Sequence, residues 1–318
     1  MYRTLSRCSK GISGRRAFIQ QNALYLVPSL LPSLVKTPSL VAHENNENAI
    51  RIGLITDSHF ADKNAAGSRH YRDSLFKIRQ AVTQFNNSSI PIAIELGDFI
   101  DAADTAETEL QYLRTINKAF QKFNGKRHYV LGNHCVWTLS KKSFLSKCEQ
   151  NESFYSFNHH GVHFIILDAC FRSDAIPYGE KNYDWTDTEI PPNEQDWLTE
   201  DLKNTPYPTV CFVHQRLDVS NDYGVKSAPL IRQILEQSGK VLAVFQGHNH
   251  INEHRNISGI HYCTLAAMVE GAGAVNNAYS LLTIFESGLI KVTGFHQQQN
   301  YICKIYFDRF YLKDVYLL

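Results

Sequence analysis

Five short apolar runs in this 318-residue chain each break off into a polar cluster, and that repeated coupling restricts the folds open to it. Ile50–Thr56 runs into Asp57-Ser58-His59, and Ile90–Leu96 into Gly97-Asp98-Phe99-Ile100-Asp101. His128–Leu131 runs into Gly132-Asn133-His134, Thr209–Val213 into His214, and Val241–Gln246 into Gly247-His248-Asn249-His250. The runs are short and rich in β-branched residues, so they read as buried strands, as does Val162–Ala169. Helical patterns lie between them at Tyr71–Asn86, Thr105–Phe123, Asn193–Asn204 and Ser227–Ser238. From Ile260 onward, strands follow one another, separated by turn residues at Asn276-Asn277 and Ser287-Gly288. The expected architecture is α/β, with parallel pairing in the first half and more antiparallel pairing later. Sites in such sheets form beyond the carboxyl ends of strands, where all five clusters fall.

The spacing within the clusters suits metal binding. In Asp57-x-His59 and His248-x-His250 the two side chains are two residues apart, so they leave an extended chain on the same side. The glycines before Asp98, Asn133 and His248 suit abrupt turns. Taken singly these signals are weak, because a His at a strand end is more often a hydrogen-bonded structural residue. Five such clusters after five strands are hard to assign to coincidence. Mixed imidazole and carboxylate donors suit Mn, Fe or Zn without a thiolate.

The order DxH, GDxxD, GNH, H, GHxH resembles the signature of the calcineurin-like metallophosphoesterases, over about Ile50 to Phe295. The resemblance implies a four-layer α/β/β/α sandwich with two mixed β-sheets around two divalent or trivalent transition-metal ions. It implies that Asp57, His59 and His250 hold one ion, and Asn133, His214 and His248 the other, with Asp98 bridging. Two ions clamp the attacking and leaving oxygens of an in-line displacement. By the same resemblance His134 sits near the leaving oxygen as a proton donor, with Asp101 holding its imidazole. The family often has an acidic residue after Gly-Asn-His, where this chain has Cys135, so different packing is expected there.

A narrower resemblance, to the Mn-dependent ADP-ribose/CDP-alcohol diphosphatases, rests on Phe60-Ala61-Asp62, Arg69–Leu75, Gly259–Tyr262 and Met268-Val269-Glu270. That group commonly has Gln where this chain has His59. It implies a small-molecule diphosphate as substrate. Arg69 and Arg72 follow the first cluster and are candidate phosphate ligands, since a guanidinium matches phosphate oxygens in pairs. Tyr183, Trp185 and Tyr223 are candidates for stacking on a base. A phosphomonoesterase or a cyclic-nucleotide phosphodiesterase is the alternative, and a non-catalytic binding scaffold is the third reading.

Composition narrows the rest. A formal net charge of +1 offers no basic surplus for a nucleic-acid polymer. Residues 1–45 are expected to be a targeting leader and 46–318 one catalytic domain. Met1–His43 contains no Asp or Glu, and it carries Arg15-Arg16 ahead of a moderately apolar run interrupted by Pro28 and Pro32. The run is a poor membrane span. It resembles a twin-arginine export signal cleaved near Ala42, with a mitochondrial presequence as the alternative. The seven cysteines form no CxxC pair, and Cys170, Cys211 and Cys263 sit in apolar runs, as buried thiols do.

Overall fold

Side chains alternating along each strand face one of two different cores, and this alternation builds the layers. In the computed structural model the described residues are 15–20, 23–28 and 49–304, and the chain divides into the units Met1–Asn45 and Asn46–Leu318. In the first unit, β1 (Arg15–Gln20) and β2 (Ala23–Pro28) pair antiparallel. Arg15-Arg16 opens β1, and the cleavage point expected near Ala42 lies outside the described residues.

The second unit contains two six-stranded mixed sheets. In one, β3 (Ile50–Ile55), β4 (Ile92–Glu95) and β5 (Lys126–Tyr129) run parallel. There β12 (Ala278–Ile284), β13 (Ile290–His296) and β14 (Tyr301–Cys303) continue antiparallel beyond β3, giving the order β14-β13-β12-β3-β4-β5. In the other sheet, β7 (Val162–Ile166), β8 (Thr209–Phe212), β9 (Val241–Gln246) and β11 (Ile260–Thr264) are parallel. Antiparallel β6 (Tyr155–His159) and β10 (Glu253–Ile257) flank them. The expected shift to antiparallel pairing therefore holds for β10 and for β12–β14. The later half also carries a parallel centre, because α4 (Pro192–Asn204) and α5 (Ala228–Ser238) serve as crossovers between β7, β8 and β9.

Three cores separate four layers. Ile52, Leu54, Ile92 and Ile94 of the first sheet meet Phe164, Ile166, Phe212 and Phe245 of the second. The outer face of the first sheet, with Ile55 and Ala93, packs on α1 (Ser74–Asn87), α2 (Ala106–Phe120) and α3 (Lys141–Lys147) through Phe85, Phe120 and Phe144. The outer face of the second, with Ile165, Cys211 and Val244, packs on Leu198 and Leu202 of α4 and on Ile231 and Leu235 of α5. This is an α/β/β/α sandwich. Gly53 of β3 admits the Phe85 ring, since a Cβ there would lie 2.7 Å from it. Burying such a ring contributes about 1.5–3 kcal/mol, so a Gly53→Ala change would push α1 off the sheet. Among the described residues no helix is long and apolar enough to cross a membrane.

Candidate metal centre

All five polar clusters meet at the carboxyl ends of β3, β4, β5, β8 and β9. Backbone bonds tie the loops together, with Asp57 N–H donating to Gly97 O at 2.9 Å and His59 N–H to Asp98 O at 2.7 Å. Asp57, His59, Asp98, His248 and His250 all have positive φ, at 50°, 42°, 55°, 76° and 63°. Outside glycine, such values are uncommon and cluster where function demands them. Of the three glycines expected to make turns, Gly97 has a φ of 102°, but Gly132 and Gly247 do not appear among the positive-φ residues. Their role is space: a Cβ on Gly132 would collide with Asp98, and one on Gly247 with Thr56 and Asp57.

The side chains form two overlapping sets of donors. In the first, Asp57 Oδ1 lies 3.4 Å from His250 Nε2 and 3.8 Å from His59 Nε2, and the two Nε2 atoms are 3.1 Å apart. In the second, Asp98 Oδ2 lies 3.2 Å from His214 Nε2, which is 3.3 Å from His248 Nδ1. Asp98 Oδ2 is also 3.4 Å from His59 Nε2, so one carboxylate faces both sets. Within each set the donor atoms fall within 4.8 Å of one another. Asn133 Oδ1 and His248 Nε2 are buried without a hydrogen-bond partner. Orphaned buried polar atoms are costly, and beside so many converging donors these fit a cation-binding centre.

Outer partners fix which ring nitrogen faces inward. His59 Nδ1–H donates to Asp101 Oδ1 at 3.1 Å, His250 Nδ1–H to Glu270 Oε1 at 2.6 Å, and His214 Nδ1–H to the Leu96 carbonyl at 2.9 Å. Each bond leaves Nε2 free for a metal, as oriented ligand histidines require. His134 Nδ1 lies 2.8 Å from Asp101 Oδ1, although its N–H is not aligned for a hydrogen bond. Its backbone N–H donates to Asp98 Oδ1 at 2.8 Å, and its side chain is 27% exposed, so it stands at the rim of the cluster.

The electrostatics follow from this crowding. Burial pushes the Asp57 and Asp98 carboxyls up, but the imidazoles around them, His214 foremost, hold both well below the usual carboxylate range. Burial opposes charge on His214 and His250 too, yet the carboxylates outweigh it and push both up to about 9. Burial and the adjacent His214 push His248 down to about 3. A cluster this anionic takes up protons when no metal is bound, so metal and proton compete for the same imidazoles.

Three supporting residues lie outside the five polar clusters. Lys63 Nζ pairs with Asp101 Oδ2. Glu95, in the otherwise apolar IPIAIEL run, accepts from Gly97 N–H at 3.0 Å, and burial holds its carboxyl well above the ordinary range. A charged residue inside an apolar strand was the available clue. Lys77 is fully buried and donates to the carbonyls of Met268, Glu270 and Gly271 at 2.8, 3.0 and 2.8 Å.

The candidate substrate residues separate. Arg69 reaches the centre's edge, with Nε 4.0 Å from the Glu270 carboxylate that holds His250. Arg72 does not: it is paired with Asp62 and with Asn64 Oδ1 at 2.9 Å, and it lines a cleft with Leu75, Glu107 and Tyr112. Arg72 is the middle residue of the helical turn Tyr71–Asp73 before α1, and its guanidinium is held by Asp62 and Asn64 of the preceding loop. Trp185 and Tyr223, 40% and 41% exposed, flank His248 with ring centroids 5.6 and 5.7 Å away. Tyr183 instead stacks on Tyr178 at 3.7 Å and donates to the Asn133 carbonyl, so it supports the loop and offers no free face there. Cys135 is fully buried, and burial raises its thiol.

No family model matches the chain. A manganese-dependent ADP-ribose/CDP-alcohol diphosphatase of Oryza sativa subsp. japonica is 23% identical over 285 residues, covering 74% of this chain and 88% of that protein. The enzyme of the same name from Arabidopsis thaliana is 29% identical over 140 residues, 41% of this chain and 45% of that one. A dimetal phosphatase from Danio rerio superposes with a TM-score of 0.71 at 18% identity, covering 81% of this chain and 99% of that one. The chain thus shares the fold of a dimetal phosphatase, brings together donors able to hold divalent metal, and is similar over 74% of its length to a named manganese-dependent diphosphatase.

Proposed function

We propose that the chain hydrolyses the diphosphate bond of nucleoside-diphosphate-linked small molecules at a centre holding two metal ions. The observation that carries the reading is the Asp98 carboxylate, whose Oδ2 lies 3.4 Å from His59 and 3.2 Å from His214, between the two donor sets. Asp57, His59 and His250 would hold one ion, Asn133, His214 and His248 the other, and Asp98 both. Manganese in the names of the similar enzymes favours Mn for the pair. When bound, the ions would supply an acidified water and neutralise charge on the phosphoryl oxygens. His134, at the rim and beside Asp101, is placed to give a proton to the leaving oxygen.

Arg69 is the side chain supporting a diphosphate over a simple ester. A second phosphate brings charge that its guanidinium can clamp in pairs, a contact contributing roughly 1.5–3 kcal/mol, or tenfold to over a hundredfold in discrimination. Trp185 and Tyr223 at the mouth favour a base-carrying substrate. Measuring kcat/KM for ADP-ribose, a CDP-alcohol, a cyclic nucleotide and p-nitrophenyl phosphate tests this, in wild type and in Arg69→Ala. Diphosphates should win, and Arg69→Ala should lower them selectively. If simple monoesters win, or all substrates fall equally, the narrower reading is wrong.

A further inference from the structure

A second cluster of donors lies away from the centre and shares no residue with it. Cys263 sits on β11 of the second sheet and Cys303 on β14 of the first, both fully buried. Their sulfurs are 3.8 Å apart. His254 of β10 brings Nε2 to 3.9 Å from Cys303 Sγ, and its Nε2 is 2.9 Å from Nδ1 of His261, also on β11. The Sγ and Nε2 atoms of Cys263, Cys303 and His254 all lie within 4.8 Å of one another.

We propose that Cys263, Cys303, His254 and His261 form a zinc site that staples the edges of the two sheets together. A disulfide has sulfurs about 2.05 Å apart, so the thiols are not bonded. Two thiolates on one tetrahedral zinc, at about 2.3 Å each, stand about 3.8 Å apart, which is the spacing found. Two sulfurs and two imidazoles are a donor set typical of structural zinc, and softer than the oxygen- and nitrogen-rich catalytic centre. His261 has an orienting partner as well: Nε2–H can donate to the Lys304 carbonyl at 3.2 Å, which leaves Nδ1, 3.5 Å from the Asn256 amide, turned toward His254. A thiolate is the form a metal binds. The site fixes β14, the last described strand, against β11, and β11 leads directly through Leu265 to Glu270 at the catalytic centre.

The test uses the full-length protein with manganese at the catalytic centre. Cobalt added in place of zinc should give a near-ultraviolet thiolate-to-cobalt charge-transfer band together with the intense visible bands of a tetrahedral ion. Cys303→Ser and His254→Ala should each bind one equivalent less zinc and lose the zinc dependence of the unfolding temperature, with turnover unchanged. His254 is exposed, so its variant is the one expected to fold without difficulty. The proposal is overturned if wild type shows no charge-transfer band, or if the band survives in Cys303→Ser. It is also overturned if the protein isolated without reductant is lighter by two hydrogens, with Cys263 and Cys303 joined as a disulfide.

Discussion

The Nδ1–H of His250 donates to Glu270 Oε1 across 2.6 Å, and this bond joins a residue just beyond the end of β9 to the loop that follows β11. The bond with His250 is the main reason the Glu270 carboxyl is held at about 2. Removing such an outer partner of a ligand histidine commonly weakens metal binding by about 10–100-fold. Glu270→Gln should therefore need more manganese for half-maximal activity while approaching wild-type kcat at saturation. Metal titration of activity checks this; an unchanged metal requirement would remove Glu270 from the role.

Asp98 should be the least replaceable residue of the centre. Its Oδ2 faces His59 and His214, and its Oδ1 accepts from His134 N–H. Asp98→Asn keeps the shape and removes the charge, so metal content should fall and turnover vanish while circular dichroism stays native. Two bound ions with full activity would sink the bridging role.

His134 and Asp101 should separate in their effects. His134→Ala is expected to retain metal and lose about 10²–10⁴-fold in rate, less for leaving groups that need no proton. Asp101→Asn should also lower metal affinity, because Asp101 Oδ1 accepts from His59 as well as approaching His134. Metal analysis of the two variants side by side distinguishes them.

Lys77 gives a pH signature. Burial pushes its ammonium down to about 8 against the pull of Asp73 and Glu270. The folded state thus binds fewer protons than the unfolded chain between about pH 8 and the ordinary lysine value of about 10.4, and stability should rise through that window. Urea midpoints compared with Lys77→Met, which cannot titrate, should show this rise in wild type only. An identical pH profile in both would show that Lys77 is not responsible.

The fold was legible where apolar runs were strong. The limits of β9 coincide with the run Val241–Gln246, and α1, α4 and α5 fall within a residue or a turn of their patterns. Elements with a polar or short apolar side were missed: β6 (YSFNH), β10 (EHRNI), α3 and β14. The third strand lies at Lys126–Tyr129, two residues earlier than the apolar pattern, because Val130 and Leu131 are buried beyond the ladder on the way to Gly132. The donors of the centre were legible because strand ends deliver them at a fixed spacing. Lys63 and Lys77 were not, since their partners lie on other segments and only the folded chain brings them together, whereas Glu95 bonds to nearby Gly97 and showed only as a charge inside an apolar strand. Arg72 shows the converse: proximity in sequence to Asp57 and His59 did not carry its side chain to them.

Five donor residues at positive φ have a consequence for how the chain ages under mutation. At Asp57, His59, Asp98, His248 and His250 local preference disagrees with the fold, at a cost of order 1 kcal/mol or more each. Such local frustration persists only because the sandwich over-determines those loops, and none of these five residues belongs to the three apolar cores. The architecture is therefore indifferent to whether the centre works. Loss of a donor side chain would leave the layers standing, so this chain can drift into a silent scaffold without passing through an unfolded one.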